Sequence, residues 1–210
     1  SGAKKEMFGQ VGIDFIAGPS EVFIIADENV NPALVAADLL AQMEHDPDSR
    51  ADLVTTSATI ASQVYKEVES QFEKIKTKQI ASQAAANGTI LVVSNIEDAI
   101  SYANQRGPEH IELCVKDPQS VLAKLINYGS LFIGNYSGVV FGDYCSGTNN
   151  ILPTNGAARY TGGLSVGTFL KIVTYQAVTK KGAQTLIPTA LVLAEIEGLD
   201  AHRRSAEIRK

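Results

Sequence analysis

The sequence is poor in the residues that most often carry chemistry. It has three histidines, two cysteines and no tryptophan among 210 residues. Cys114 and Cys145 are too few for a disulfide framework, so a reducing, cytoplasmic compartment is the simpler expectation. No stretch is long and apolar enough for a membrane span, and no charged-then-apolar start resembles a signal peptide. Excess positive charge is lacking as well. With 18 Lys and Arg against 23 Asp and Glu the formal charge is −5, which weighs against nucleic acid as a main partner. There is no phosphate loop of the Walker type, and no G-x-G-x-x-G follows a strand, so no dinucleotide site can be derived from the residues. With His45, His110 and His202 the only imidazoles, proton transfer or metal chemistry near pH 7 has few places to sit.

What is present is an ordinary globular balance, 45% apolar and 20% charged, with a regular alternation of patterns. The apolar runs Ile13–Ala17 and Val22–Ala26 are closed by Gly18-Pro19-Ser20 and Asp27-Glu28-Asn29. Asn31 before Pro32 suits an N-cap followed by proline at the first helical position. The helix it opens is expected to run to His45 and stop before Pro47. Strands are expected at Asp52–Thr56, Thr89–Ser94 (as a buried strand), His110–Val115 and Ser130–Gly134. Helices are expected at Ala58–Ile75, Ile96–Gln105 and Asp117–Ile126. This alternation predicts an α/β fold with a doubly wound, mostly parallel sheet, part of a Rossmann-like domain, with a C-terminal helical segment. Such sheets hold ligands beyond the carboxyl ends of their strands.

From Tyr136 to Gly163 the texture changes to Gly, Ser, Thr and Asn. A loop of that length with buried-type residues such as Phe141 and Leu152 reads as ordered and functional. Helices are then expected at Leu164–Tyr175 and at Gly182–Glu197, the second interrupted or kinked near Pro188. Asp200 is a candidate cap for a last helical segment carrying His202. The expected organisation is a linker or the end of a preceding α/β domain over 1–21, an α/β domain over 22–163 and a helical segment over 164–210. Ser1-Gly2-Ala3 reads as a processing remnant.

Three constellations have chemical potential. Gln42 and His45 lie three residues apart at a helix end, so an amide oxygen and an imidazole can reach one metal ion. Solvent-facing helix-end residues are the plainer alternative. Glu109 and His110 sit side by side at the turn after Gly107-Pro108, where a carboxylate can activate water and an imidazole can accept a proton. A surface turn is again the plainer reading, and this position lies before a strand. Asp143, in the glycine-flanked run Gly142–Asn150, is a hard-ligand candidate or the anchor of an Asx turn.

The segments together resemble histidinol dehydrogenases, and the resemblance covers almost the whole chain in order. It rests on Gly18-Pro19-Ser20-Glu21-Val22, AADLLAQMEHDPDS (Ala36–Ser49), NQRGPEHIEL (Asn104–Leu113), GDYCSGTNNILPT (Gly142–Thr154), YTGGLSVGTF (Tyr160–Phe169) and AEIEGLDAHRRSAEIR (Ala194–Arg209). The resemblance implies oxidation of L-histidinol to L-histidine through the aldehyde, with NAD and one zinc ion per chain. It implies a homodimer whose active sites are shared between subunits. Zinc would be held by Gln42, His45, Asp143 and His202, the last from the partner. Glu109 and His110 would be the acid–base pair. Substrate contacts would fall on Ser20, His110, the zinc ligands, Asn150 and Glu197. No residue is assigned to NAD.

The likeness departs from the family in two places. Asn150 stands where the family usually has histidine, and it cannot carry positive charge. That leaves room for a related dehydrogenase acting on another amino alcohol or a polyol. Family members also extend further at the N-terminus, so the chain reads as their C-terminal part, not expected to turn over alone. A non-catalytic α/β dimerisation module is the alternative from a different class.

Overall fold

The computed structural model describes residues 2–210; Ser1, part of the expected processing remnant, lies outside the described residues. The chain divides into two compact units, one ending at Phe169 and one spanning Leu170–Lys210.

In the first unit a short helix α1 (Gly2–Met7) precedes an alternating series. It runs β1 (Glu21–Ala26), α2 (Pro32–Met43), β2 (Arg50–Thr55), α3 (Ala58–Phe72), α4 (Lys78–Ala84), β3 (Thr89–Val92), α5 (Ile96–Arg106), β4 (His110–Cys114), α6 (Pro118–Leu122), β5 (Ser130–Ile133) and α7 (Val139–Tyr144). The five strands form one parallel sheet in the order β3-β2-β1-β4-β5. This is the α/β architecture that the alternation predicts.

The central strand explains the layering. All six residues of β1 are buried, as a strand covered on both faces requires. Successive side chains point to opposite faces. Val22, Ile24 and Ala26 therefore pack with residues of α2, α3 and α4, while Phe23 and Ile25 pack with residues of α5 and α6.

The expected local signals act where they were read. Asn31 Oδ1 accepts from the Ala33 N–H at 3.0 Å, with Pro32 opening α2. Gly107, at φ 57°, ends α5 in the left-handed conformation that favours glycine.

Several expectations change. β3 is an edge strand of the sheet, with Thr89, Ile90 and Val92 exposed. The helix expected through Ile75 stops at Phe72, and α4 follows separately. α6 spans five residues. α2 ends at Met43, so His45 lies just beyond it. The stretch read as a long loop contains α7 and a 3-10 turn at Ala157–Arg159. The helix expected at Leu164–Tyr175 is absent. A 3-10 turn at Val166–Phe169 stands there and the chain then runs without regular structure, in keeping with Gly163, Gly167 and a β-branched run Ile172-Val173-Thr174 that resist helix.

The second unit contains α8 (Lys180–Ile196) and α9 (Asp200–Glu207). Thr179 caps α8 by accepting from the Gly182 N–H at 3.1 Å, and the helix continues through Pro188 without interruption. Gly198, at φ 68°, turns the chain between the two helices. Among the described residues no helix is long and apolar enough to cross a membrane.

At the carboxyl ends of the strands flanking the switch point, β1 and β4 are tied together beside a cavity of about 200 Å³ lined by Asp27, Thr56, Lys116 and Ser120. The Asp27 N–H donates to the Cys114 carbonyl at 3.3 Å, and Asp27 Oδ2 accepts from the Lys116 N–H at 2.7 Å.

Candidate active site

The candidate residues of the first unit gather instead toward the amino ends of β1 and β4. Glu109 and His110 are buried at 8% and 3% exposure, so the surface-turn reading does not hold. Glu109 Oε2 accepts from Ser20 Oγ at 2.6 Å and from the Glu21 N–H at 2.9 Å. His110 Nδ1 lies 2.9 Å from the Glu21 carbonyl oxygen. A carbonyl only accepts, so Nδ1 carries the proton in the neutral ring and Nε2 keeps its lone pair. The Glu109 main-chain carbonyl is fixed by the Ser130 N–H at 2.9 Å.

Gln42, His45 and Asp143 line one small cavity of about 60 Å³ together with Asp38, Val139 and Val22, the residue of β1 that pairs with His110. His45 Nε2 and Asp143 Oδ2 are 4.0 Å apart. That is too long for a hydrogen bond, and it is a few tenths of an ångström wider than the roughly 3.4 Å between two N/O ligands of a tetrahedral zinc ion, so a small approach of the two side chains would let them share one. Gln42 is buried at 3% exposure, and its Nε2 has no hydrogen-bond partner. Exchanging the two ends of an amide leaves its shape unchanged, so this side chain is a buried polar group without a protein tie. An imidazole, a carboxylate and an unengaged amide form a mixed N/O donor set that suits Zn²⁺. Among the described residues no three His, Cys, Asp or Glu side chains are grouped to hold a metal. In the cavity the pair of such groups that face each other is His45 and Asp143, with the amide beside them.

α7 delivers Asp143 because two tertiary contacts seat it. Its first N–H, that of Val139, donates to Glu112 Oε1 at 2.8 Å. Gly142 lies so close to the sheet that a Cβ there would sit 2.6 Å from the Phe132 ring, and Phe132 in turn packs 5.9 Å, centroid to centroid, from His110. Glu112 also hydrogen-bonds Asp38 of α2. Burial, with Asp38 beside it, pushes the Glu112 carboxyl up to about 8. Burial likewise raises Asp38. Burial thus favours the protonated form of both carboxyls, one of which, Asp38, lines the cavity.

The remaining candidates lie elsewhere. Asn150 is exposed and outside this cavity. Glu197 is the C-cap of α8 and His202 lies on α9, both exposed and both in the second unit. Cys145 is exposed and free; Cys114 is buried, which pushes its thiol up to about 12. A separate polar cavity of about 420 Å³ is lined by Arg50, Arg106 and Arg159 with Glu21 and Asp48.

Sequence reasoning missed Glu21, Asp38 and Glu112. A signal was present for two of them: Glu21 and Glu112 are the single acids of the largely apolar strands EVFIIA and HIELC, and buried acids need a reason.

Comparison with known proteins converges on one family. The family model described as histidinol dehydrogenase matches residues 1–210. The histidinol dehydrogenase of Methanocaldococcus jannaschii is 44% identical over 207 residues, 99% of this chain and 48% of the relative. That of Methanosarcina barkeri is 46% identical with the same coverage. The crystal structure of histidinol dehydrogenase from Elizabethkingia anophelis superposes with a TM-score of 0.89 at 44% identity, over 99% of this chain and 48% of that one. The chain spans about half the length of the curated relatives it matches.

Proposed function

Given that the chain belongs to the histidinol dehydrogenase family, we propose that it carries the metal-binding and acid–base part of an enzyme oxidising L-histidinol to L-histidine by way of the aldehyde. In this reading NAD accepts the electrons and one zinc ion is bound per chain. The observation that carries it is the pairing of a tautomer-fixed imidazole and a buried carboxylate beside a cavity with an unengaged amide.

Gln42, His45 and Asp143 fit the metal, with His202 of a second copy completing the set. Zinc, when bound, supplies a Lewis-acidic anchor for the amine and imidazole of the substrate. The chain's own groups do the rest. His110 Nε2, the free lone pair, takes the hydroxyl proton as the alcohol carbon gives up its hydride. Glu109, with Oε2 engaged by Ser20 and Glu21, uses its other oxygen to deprotonate the water that adds to the aldehyde, and the hydrate then gives up a second hydride, to a second NAD, as its hydroxyl proton leaves and the acid forms. Burial keeps bulk water from competing for either group. Asn150 and Glu197 are proposed to contact substrate from the partner subunit of a shared homodimer site.

The deciding experiment is histidinol-dependent NAD⁺ reduction by the complete enzyme carrying this chain, with metal analysis of the same preparation. Turnover with about one zinc per chain supports the proposal. Turnover of another alcohol but not histidinol would transfer the chemistry to a different substrate, the reading that Asn150 favours.

A further inference from the structure

We infer that Glu21 is the positioning residue of the acid–base pair, its main chain holding both members and its side chain holding that main chain in place. The inference rests on reading Glu109 and His110 as that pair. The Glu21 N–H donates to Glu109 at 2.9 Å and the Glu21 carbonyl accepts from His110 at 2.9 Å. Both reactive groups are therefore referenced to the two peptide planes of one residue. A rotation of either plane would release one group and misdirect the other.

The Glu21 carboxylate prevents that rotation. Its Oε1 accepts from the Asn155 N–H at 2.6 Å, and its Oε2 faces Arg106 Nη2 at 3.5 Å. Asn155, at φ 53°, is the one non-glycine residue with positive φ among the described residues, and the turn it builds also receives the Gly18 N–H on Thr154 Oγ1 at 2.6 Å. The segment entering β1 is thus tied to the 154–156 turn both before Glu21 and through its side chain. This arrangement is costly. Glu21 is 5% exposed, and burial together with Glu109 works against its ionised form. An apolar residue like the rest of β1 would start the strand with no such penalty. The penalty makes sense when the carboxylate sets the geometry of its neighbours.

The test uses ¹⁵N-histidine-labelled protein, where three histidines are few enough to assign by single replacement. The wild type should show neutral His110 protonated on Nδ1. Glu21→Ala should populate both tautomers, lower kcat of the complete enzyme about tenfold, a part of the about 10²–10⁴ that proton transfer supplies, and leave KM within about twofold. Glu21→Gln, which keeps an acceptor for the Asn155 N–H, should restore both properties. If Glu21→Ala does not fold, Glu21→Asp withdraws the carboxylate from Asn155 and is read the same way. A folded variant with a lowered melting temperature but the wild-type tautomer and kcat would overturn the inference, leaving Glu21 as a pin for the turn. The tautomer readout needs no turnover, so it separates failure of this inference from failure of the proposed reaction.

Discussion

Glu112, in the middle of β4, accepts the first N–H of α7, that of Val139, at 2.8 Å. Through its second contact, with Asp38, the same side chain links α7 to α2. The two helices that carry Asp143 and Gln42 are thus joined by one pair of buried carboxyls, Glu112 and Asp38.

That pair makes stability depend on pH. The folded-state value of Glu112 lies near 8, above its ordinary 4.5. Between those values the folded protein holds more protons than the unfolded chain, so the stabilisation is complete below the ordinary value and is lost as pH rises through about 8. The slope approaches about 1.4 kcal/mol per pH unit for one fully retained proton. Urea unfolding across that range should show the decline, and Glu112→Gln should flatten it. Equal slopes in the two proteins would contradict a proton retained on Glu112.

Metal binding and proton transfer should separate by mutation. His45→Ala is expected to lose zinc, and with it turnover. His110→Asn is expected to retain zinc while kcat falls by about 10² or more. Atomic absorption on the dialysed proteins alongside steady-state kinetics makes the comparison. Equal zinc loss in both would refute the division of roles.

Ser20 should matter more for the second oxidation than for the first. Ser20→Ala removes one of two donors from Glu109 Oε2, a charge-assisted bond of about 1.5–3 kcal/mol. The rate from aldehyde to acid should fall by about tenfold or more, while alcohol oxidation, which depends on His110, changes less. Single-turnover assays started from the alcohol and from the aldehyde distinguish the steps.

Gly142 is required for space. Its would-be Cβ meets the Phe132 ring at 2.6 Å, so Gly142→Ala must push α7 off the sheet. A loss of about 1–3 kcal/mol in urea unfolding is expected, with weaker zinc binding because Asp143 moves. Unchanged stability would mean that the ring gives way freely.

Much of the sheet was legible because its signals are local. The apolar run Val22–Ala26, the Asn31-Pro32 cap and Gly107 each act within a few residues of themselves. α7 was not legible, since what holds it is Glu112 and Phe132, contacts made only after β4 and β5 are in place. The stretch after Leu164 misled in the other direction, its apolar residues suggesting a helix that its glycines and β-branched residues oppose. The acid–base pair and metal candidates came from residue types and family likeness. Their grouping at the amino edge, with residues 45 and 143 facing each other across 4.0 Å, is a property of the folded sheet.

The tie between Asp27 and Lys116 has a consequence for how this scaffold can change. Turns on that edge, Asp27–Asn31 and Val115–Asp117, lie away from the candidate residues, so their exposed positions Glu28 and Asn29 are free to vary while the Asp27 tie and the Asn31 cap are kept. The turns at Gly18–Ser20 and Gly107–Pro108 have no such liberty. Each leads directly into a residue held within 3 Å of the other's segment, and one added residue on either side would put the carboxylate and the hydroxyl out of reach.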